Sequence, residues 1–191
     1  MSILLVSYSY YAYSPDSGRI GNGQSRNTDE RNREEVEIQR LRNRTEAETC
    51  AHMMANSEPW ITLRRGYGES LKILTDPSRE VHLAMIADEI VGFTVLNMHG
   101  AFIGYIQSVC VAPHWRSKGI GSKLMDYVEK RILSETPNVF ICVSSFNQRA
   151  QKLYERRDYE IVGELKHWIV PDHSEILLRK TIAPLTEFKP K

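Results

Sequence analysis

Arg116-Ser117-Lys118-Gly119-Ile120-Gly121-Ser122 sits between two segments of different character. Before it, Tyr105-Ile106-Gln107-Ser108-Val109-Cys110-Val111 is β-branched and apolar, a strand composition. After it, Ile120, Leu124, Tyr127, Val128 and Ile132 recur at helical spacing. A strand, a basic glycine loop and the first turn of a helix aim unpaired backbone N–H groups at one point, where the helix dipole also favours negative charge. Gly119 and Gly121 let a ligand approach the backbone, and Arg116 and Lys118 add positive charge. The chemistry this suits is binding of a phosphate or pyrophosphate. Two familiar phosphate loops do not fit. Gly121-Ser122-Lys123 inverts the Gly-Lys-Ser/Thr order of a Walker loop, and Leu124 stands where a dinucleotide fingerprint needs its third glycine.

A second group lies downstream. Asn147, Ala150 and Tyr154 share one helix face. A tyrosine on an inner helix face is ordinarily a core aromatic. Its company here, Asn147 and the Gly119 loop, favours a chemical role.

Arg116-x-x-Gly119-x-Gly121, with Val109-Cys110-Val111-Ala112-Pro113 before it and an amphipathic helix after it, resembles motif A of the GCN5-related N-acetyltransferases (GNAT). Asn147-x-x-Ala150-x-x-Leu153-Tyr154 resembles the family's second motif, and the pair is nearest to the ribosomal-protein N-acetyltransferase branch. The resemblance implies acetyl-CoA as co-substrate. It implies that Arg116 and the amides of Ser117, Lys118, Gly119, Ile120, Gly121 and Ser122 hold the pyrophosphate. Backbone groups of Val109 and Val111 would pair with pantetheine amides like an added strand. The N–H of Cys110 or Val109 would face the acetyl carbonyl as an oxyanion donor. Asn147 would hydrogen-bond the pantetheine arm, beside Ala150 on its face. Tyr154 would place its hydroxyl at the sulfur, where a phenol can protonate a departing thiolate.

The elements that must position these groups follow from periodicity and turn signals. Strands are expected over 36–42, 80–87, 90–97, 101–112, 139–144, 159–170 and 175–180. Helices are expected over 45–57, opened by a capping box at Thr45-Glu46-Ala47-Glu48, and over 69–74, 120–134 and 147–156. The fold class is α/β (α+β): a mixed, mostly antiparallel twisted sheet of about seven strands flanked by about four helices. The resemblance implies a GNAT fold, splayed between its fourth and fifth strands. Residues 1–34 read as a flexible extension, 35–183 as the acetyltransferase domain and 184–191 as a tail.

One part of the family pattern is missing. Related enzymes often carry a glutamate as general base where this chain has Tyr105 or Cys142, and neither is a base at neutral pH. Substitutes on the acceptor side are Glu58, Asp172, His173 and Glu175, with His99 and His167 behind them. Glu58, Trp60, Trp168, Asp172 and His173 are expected to form the acceptor pocket, where aromatic rings and a carboxylate suit an ammonium group. Asp158 stands where the family usually has glycine, and Asp tolerates a left-handed turn better than most residues.

Composition sets the remaining bounds. The 191 residues carry 25 Lys+Arg against 24 Asp+Glu, a net charge of +1, so nothing global points to nucleic acid or an anionic membrane. Arg64-Arg65 and Arg156-Arg157 read as solvated faces. No apolar run approaches the roughly 18 residues of a membrane span. The three cysteines lack metal-ligand spacing and read as small buried hydrophobes in a reducing, cytoplasmic setting. No metal is expected. The function expected is acetyl transfer to a primary amine of a small molecule or peptide by direct attack in a ternary complex. The alternative is a non-catalytic acyl-CoA sensor of the same fold. Edge strands near the C-terminus could pair two copies into a homodimer.

Overall fold

The computed structural model describes residues 35–190. The stretch 1–34, read as a flexible extension, and Lys191 lie outside the described residues. The elements in order are β1 (Glu37–Arg40), α1 (Arg44–Ala55), α2 (Tyr67–Leu74), β2 (Arg79–Ile86), β3 (Glu89–Asn97), β4 (Tyr105–Val111), a 3-10 turn (Pro113–Trp115), α3 (Ile120–Leu133), β5 (Asn138–Ser144), α4 (Gln148–Glu155), β6 (Glu160–Val170) and β7 (His173–Thr181). One seven-stranded sheet runs β1-β2-β3-β4-β5-β7-β6. All neighbours are antiparallel except β4 and β5.

Strand alternation sorts the helices onto two faces. In β2, Val81, Leu83 and Met85 pack with Ala47, Ala51, Met54 and Leu74 of α1 and α2. Ala84 and Ile86 turn the other way, onto Ile120 and Leu124 of α3. Met125, Val128 and Ile132 of α3 continue that layer over Val139 and Ile141, with Tyr154 of α4 beside them. The central strands are therefore covered on both faces, which is why β2, β3 and β5 read as near-continuous apolar runs.

Three local expectations shift. The α1 cap is Asn43, whose Oδ1 accepts from the Glu46 N–H at 2.9 Å, while Glu46 accepts from the Arg42 N–H at 2.7 Å. The box expected at Thr45 thus sits two residues earlier, because Asn43, immediately before the helix, has extended backbone and a side-chain oxygen that reaches the first-turn amide. The strand expected from residue 101 begins at Tyr105, since Gly100 and Gly104 turn at φ 81° and 86°. The β6–β7 connection shrinks to Pro171-Asp172, with His173 already in β7.

The sheet opens at its centre. β4 and β5 pair only at Tyr105–Phe140 and Ile106–Ile141, where the Phe140 N–H also donates to the Gly104 carbonyl at 2.9 Å. At the same place Gln107 is an extra residue in β4: Ile106 pairs with Leu96 and Ser108 with Val95. This bulge bends β4 away from β5 and resets which amides face which neighbour. The Ala112 N–H donates to the Val91 carbonyl at 2.9 Å. By antiparallel alternation, Cys110 and Ser108 also bond β3, while Val109 and Val111 turn their backbone groups into the gap.

Candidate active site

The gap between β4 and β5 is the floor of a cleft of about 610 Å³, lined among others by Val109, Val111, Arg116, Ser117, Gly119, Gly121, Ser122, Asn147, Ala150 and Tyr154. Both sequence motifs therefore meet in one place. At one end stands the start of α3. Gly119 caps it at φ 84°, a left-handed conformation, and Ser117 is also left-handed at φ 67°. Nothing lies within 4 Å of where a Gly119 Cβ would be, so conformation and not crowding requires glycine there. The first bond of the helix is Lys123 N–H to Gly119 carbonyl, which leaves the preceding amides free. The first turn has no acidic residue, and Lys130 and Arg131 occupy the last, the arrangement that leaves the positive dipole end open to an anion.

The loop is braced from two sides. His114 Nε2 and Trp115 Nε1 both meet Glu89 Oε1, at 2.9 and 3.0 Å, and the Lys118 ammonium lies 4.2 Å over the Trp115 ring. Across the cleft, Arg149 Nη2 donates to Ser117 Oγ at 3.0 Å, tying the second motif to the first. Arg149 occupies a variable motif position, so only the fold reveals it. Arg116 folds back: its Nε donates to the Val111 carbonyl at 3.1 Å. Val109 is left with both backbone groups open to the cleft and Val111 with its N–H. Ile120 is buried against Ala84 and Val91, and neither it nor Lys118 lines the cleft.

At the other end lies α4. Asn147 caps it, Oδ1 accepting from the Ala150 N–H at 3.2 Å, so its amide Nδ2 is the group left to face a ligand. Tyr154 is 6% exposed, and among the described residues its hydroxyl makes no hydrogen bond. Burial raises its pKa, which keeps the phenol protonated. The C-terminal end of α4 is anchored by a charged cluster. The buried Glu129 carboxylate accepts from Arg157 Nε and Lys180 Nζ, each at 2.9 Å, and from Tyr159 at 3.3 Å, and Arg157 also reaches Asp126. Arg156-Arg157 is thus only half solvated: Arg156 is exposed at the rim of the cleft, while Arg157 belongs to the anchor. Asp158 adopts φ 64° between α4 and β6.

Behind the splay is a second cavity of about 390 Å³. It shares Trp60, Val109, Asn147, Ala150 and Tyr154 with the first, and adds Arg65, Tyr105, Gln107, Ser108, Cys142, Trp168 and Glu175. Trp60, expected in the acceptor pocket, is 5% exposed and belongs to the α1 core while also lining both cavities. Trp168 lines the second cavity. Glu58 borders the first, is exposed, and accepts from the Thr62 N–H. Asp172 and His173 line neither. The short turn leaves Asp172 in solvent, and the His173 ring packs on Phe146, 4.6 Å between centroids. His167 bonds the Pro171 carbonyl and His99 lies in the β3–β4 connection, both away from the cavities.

The register turns the two candidate oxyanion amides in opposite directions. The Cys110 N–H is turned to β3, and the amide facing the cleft is that of Val109. Burial raises the Cys110 thiol to about 12 and the Cys142 thiol to about 11, so neither is a thiolate nucleophile at neutral pH. The Cys50 thiol, buried in the α1 core, is raised too.

The acetyltransferase (GNAT) family model matches residues 40–159, which is most of the domain just described. The chain belongs to the acetyltransferase (GNAT) family. It is 32% identical over 87 residues to GCN5-related N-acetyltransferase 6, chloroplastic, of Arabidopsis thaliana, a match covering 44% of this chain and 30% of that protein. This chain therefore matches under a third of the length of that curated relative. Among solved structures, a GNAT-family acetyltransferase of Desulfovibrio desulfuricans superposes with a TM-score of 0.64 at 16% identity, covering 78% of this chain and 100% of the other. An aminoglycoside 6'-N-acetyltransferase complexed with coenzyme A superposes at 0.62 and 19% identity, covering 77% and 97%. The order of strands, the two-residue parallel contact of β4 with β5 and the four helices are those of a GNAT fold. None of the described helices is long and apolar enough to cross a membrane.

Proposed function

We propose that the protein transfers an acetyl group from acetyl-CoA to a primary amine by direct attack in a ternary complex. The observation that carries this reading is the β4–β5 opening. It joins a cleft with a helix N-terminus at one end to a second cavity, and Val109, Asn147 and Tyr154 stand at the junction. Two substrates entering from opposite sides would meet there, which suits direct transfer and needs no covalent enzyme intermediate.

In this reading the amides of 117–122 hold the pyrophosphate, with Arg149 and Lys118 as flanking charge. Val109 and Val111 pair with the pantetheine arm, and Asn147 Nδ2 bonds it. The Val109 N–H faces the acetyl oxygen as negative charge develops on it. Tyr154 gives a hydrogen bond, and then its proton, to the departing sulfur. Acetyl-CoA supplies the thioester. Acceptors to weigh are a small polyamine or aminoglycoside and, from the likeness to the ribosomal-protein branch, a peptide amine.

The test is calorimetric titration with acetyl-CoA, followed by thiol release over a panel. The panel holds spermidine, tyramine, kanamycin and two peptides, one with a free N-terminus and one with a single free lysine. Micromolar binding with thiol release for one class supports the reading. Binding without release for any member would favour an acyl-CoA sensor, and no binding would refute the pyrophosphate role of residues 116–122.

A further inference from the structure

The missing glutamate of the family pattern leaves the acceptor amine without a proton acceptor, and the second cavity contains one. Glu175 is the only carboxylate among the described residues lining it. It sits on β7 opposite Ser144 of β5 and is 5% exposed. Ser144 Oγ donates to Glu175 Oε1 at 2.5 Å. Two residues that line the same cavity, Gln107 and Ser108 at the bulge that opens β4, each carry a buried polar atom without a partner, Gln107 Oε1 and Ser108 Oγ. Buried acceptors left unpaired are costly, so groups of this kind mark a place where a polar ligand belongs. The walls include Trp60, Tyr105 and Trp168. A buried carboxylate, an unpaired amide oxygen and aromatic rings together fit the N–H donors and positive charge of an alkylammonium.

We infer that Glu175 is the general base that takes a proton from the acceptor ammonium, and that Ser144 positions its carboxylate. The inference rests on the transfer reading above. The charges balance as follows. Glu175 removes one proton from the ammonium, and the freed nitrogen lone pair forms the C–N bond to the acetyl carbon as the C–S bond breaks. The sulfur takes a proton from Tyr154, and the second amine proton lost on forming the amide restores the phenol. Glu175 releases its own proton to solvent.

The surroundings tune this carboxylate. Burial raises its pKa. Against that, the Ser144 hydroxyl, the Arg65 guanidinium from the α1–α2 connection and His173 on its own strand stabilise the charged form. Tyr105 on β4 and Cys142 on β5 complete the ionisable groups around it, and burial keeps both neutral. A carboxylate whose pKa is raised is a stronger base in its ionised form. Exposed Glu58 has no such enclosure.

The experiment is the pH profile of kcat/KM for thiol release, using the panel amine with the fastest turnover, on the full chain and on Glu175→Gln and Ser144→Ala. Glu175→Gln is expected to lose roughly 100-fold or more in kcat/KM at pH 7, together with the acidic limb of the profile, while acetyl-CoA binding stays within about twofold. Ser144→Ala removes a hydrogen bond to the ionised form, so its acidic limb is expected to move to higher pH. Should Glu175→Gln fail to bind acetyl-CoA, the Ser144→Ala shift decides alone. A Gln variant retaining a third or more of wild-type kcat/KM with its acidic limb intact would overturn the base assignment and leave the transfer reading standing. So would an unmoved limb in Ser144→Ala. Wild-type protein that binds acetyl-CoA but acetylates no probe would overturn both.

Discussion

Replacing Tyr154 by phenylalanine separates its packing from the chemistry proposed for it. The ring is 6% exposed and packs in the α3–α4 core with Tyr159 at 5.7 Å between centroids. Phenylalanine keeps that ring. Among the described residues the hydroxyl has no hydrogen-bond partner, so its loss strands no buried donor or acceptor. Stability should therefore change by less than about 1 kcal/mol. On the proposed mechanism the chemical step loses a hydrogen bond to a charged sulfur, worth about 1.5–3 kcal/mol, which is roughly a 10- to 150-fold fall in kcat. Binding of acetyl-CoA, assigned in the proposed reading to backbone groups at the other end of the cleft, should be unchanged. Because burial raises the phenol pKa, the wild-type rate should show no alkaline loss from this group up to about pH 10. The assay is single-turnover thiol release with acetyl-CoA saturating, beside urea denaturation. A variant with wild-type kcat and a clear stability loss would refute the reasoning, since the hydroxyl would then be a structural group.

His82 on β2 is 2% exposed, its Nδ1 has no partner, and burial lowers its pKa to about 4. The unfolded chain binds this proton below about pH 6.5 and the folded chain only near 4, so stability should fall as pH drops through that window, by about 3 kcal/mol in all. Urea midpoints at pH 7, 6 and 5 for wild type and His82→Asn should converge as pH falls, and parallel curves would exclude His82 as the cause. Gly104 pins the closed end of the splay at φ 86°, and an added Cβ would meet the Asn138 carbonyl oxygen at 2.5 Å and Ile132 Cγ2 at 2.6 Å. Gly104→Ala should cost about 2–5 kcal/mol by denaturant titration, and a cost below about 0.5 kcal/mol would show that β4 can shift freely there.

The sequence alone determined the local devices. Gly119 at a left-handed cap, the basic residues around it and the apolar repeat of α3 are short-range requirements of one turn and one helix face. The tolerance of Asp158 for its turn is local in the same way. These are legible because backbone geometry and hydrogen bonding within a few residues choose the residue type. What only the tertiary structure decided depends on register or on distant strands. A single extra residue at Gln107 shifts the β4 alternation, and with it the open amide from Cys110 to Val109, and nothing in the residue types announces a bulge. Glu175 meets Ser144 because β7 inserts beside β5, out of chain order, between β5 and β6. Arg156 and Arg157 look alike in sequence, yet helix rotation sends one to the cleft and the other to Glu129. Asp172 and His173 were plausible by type, but a two-residue turn leaves no slack to bring them over the cavity. Local propensity writes the motifs. Register and strand order decide which of their atoms face the same space.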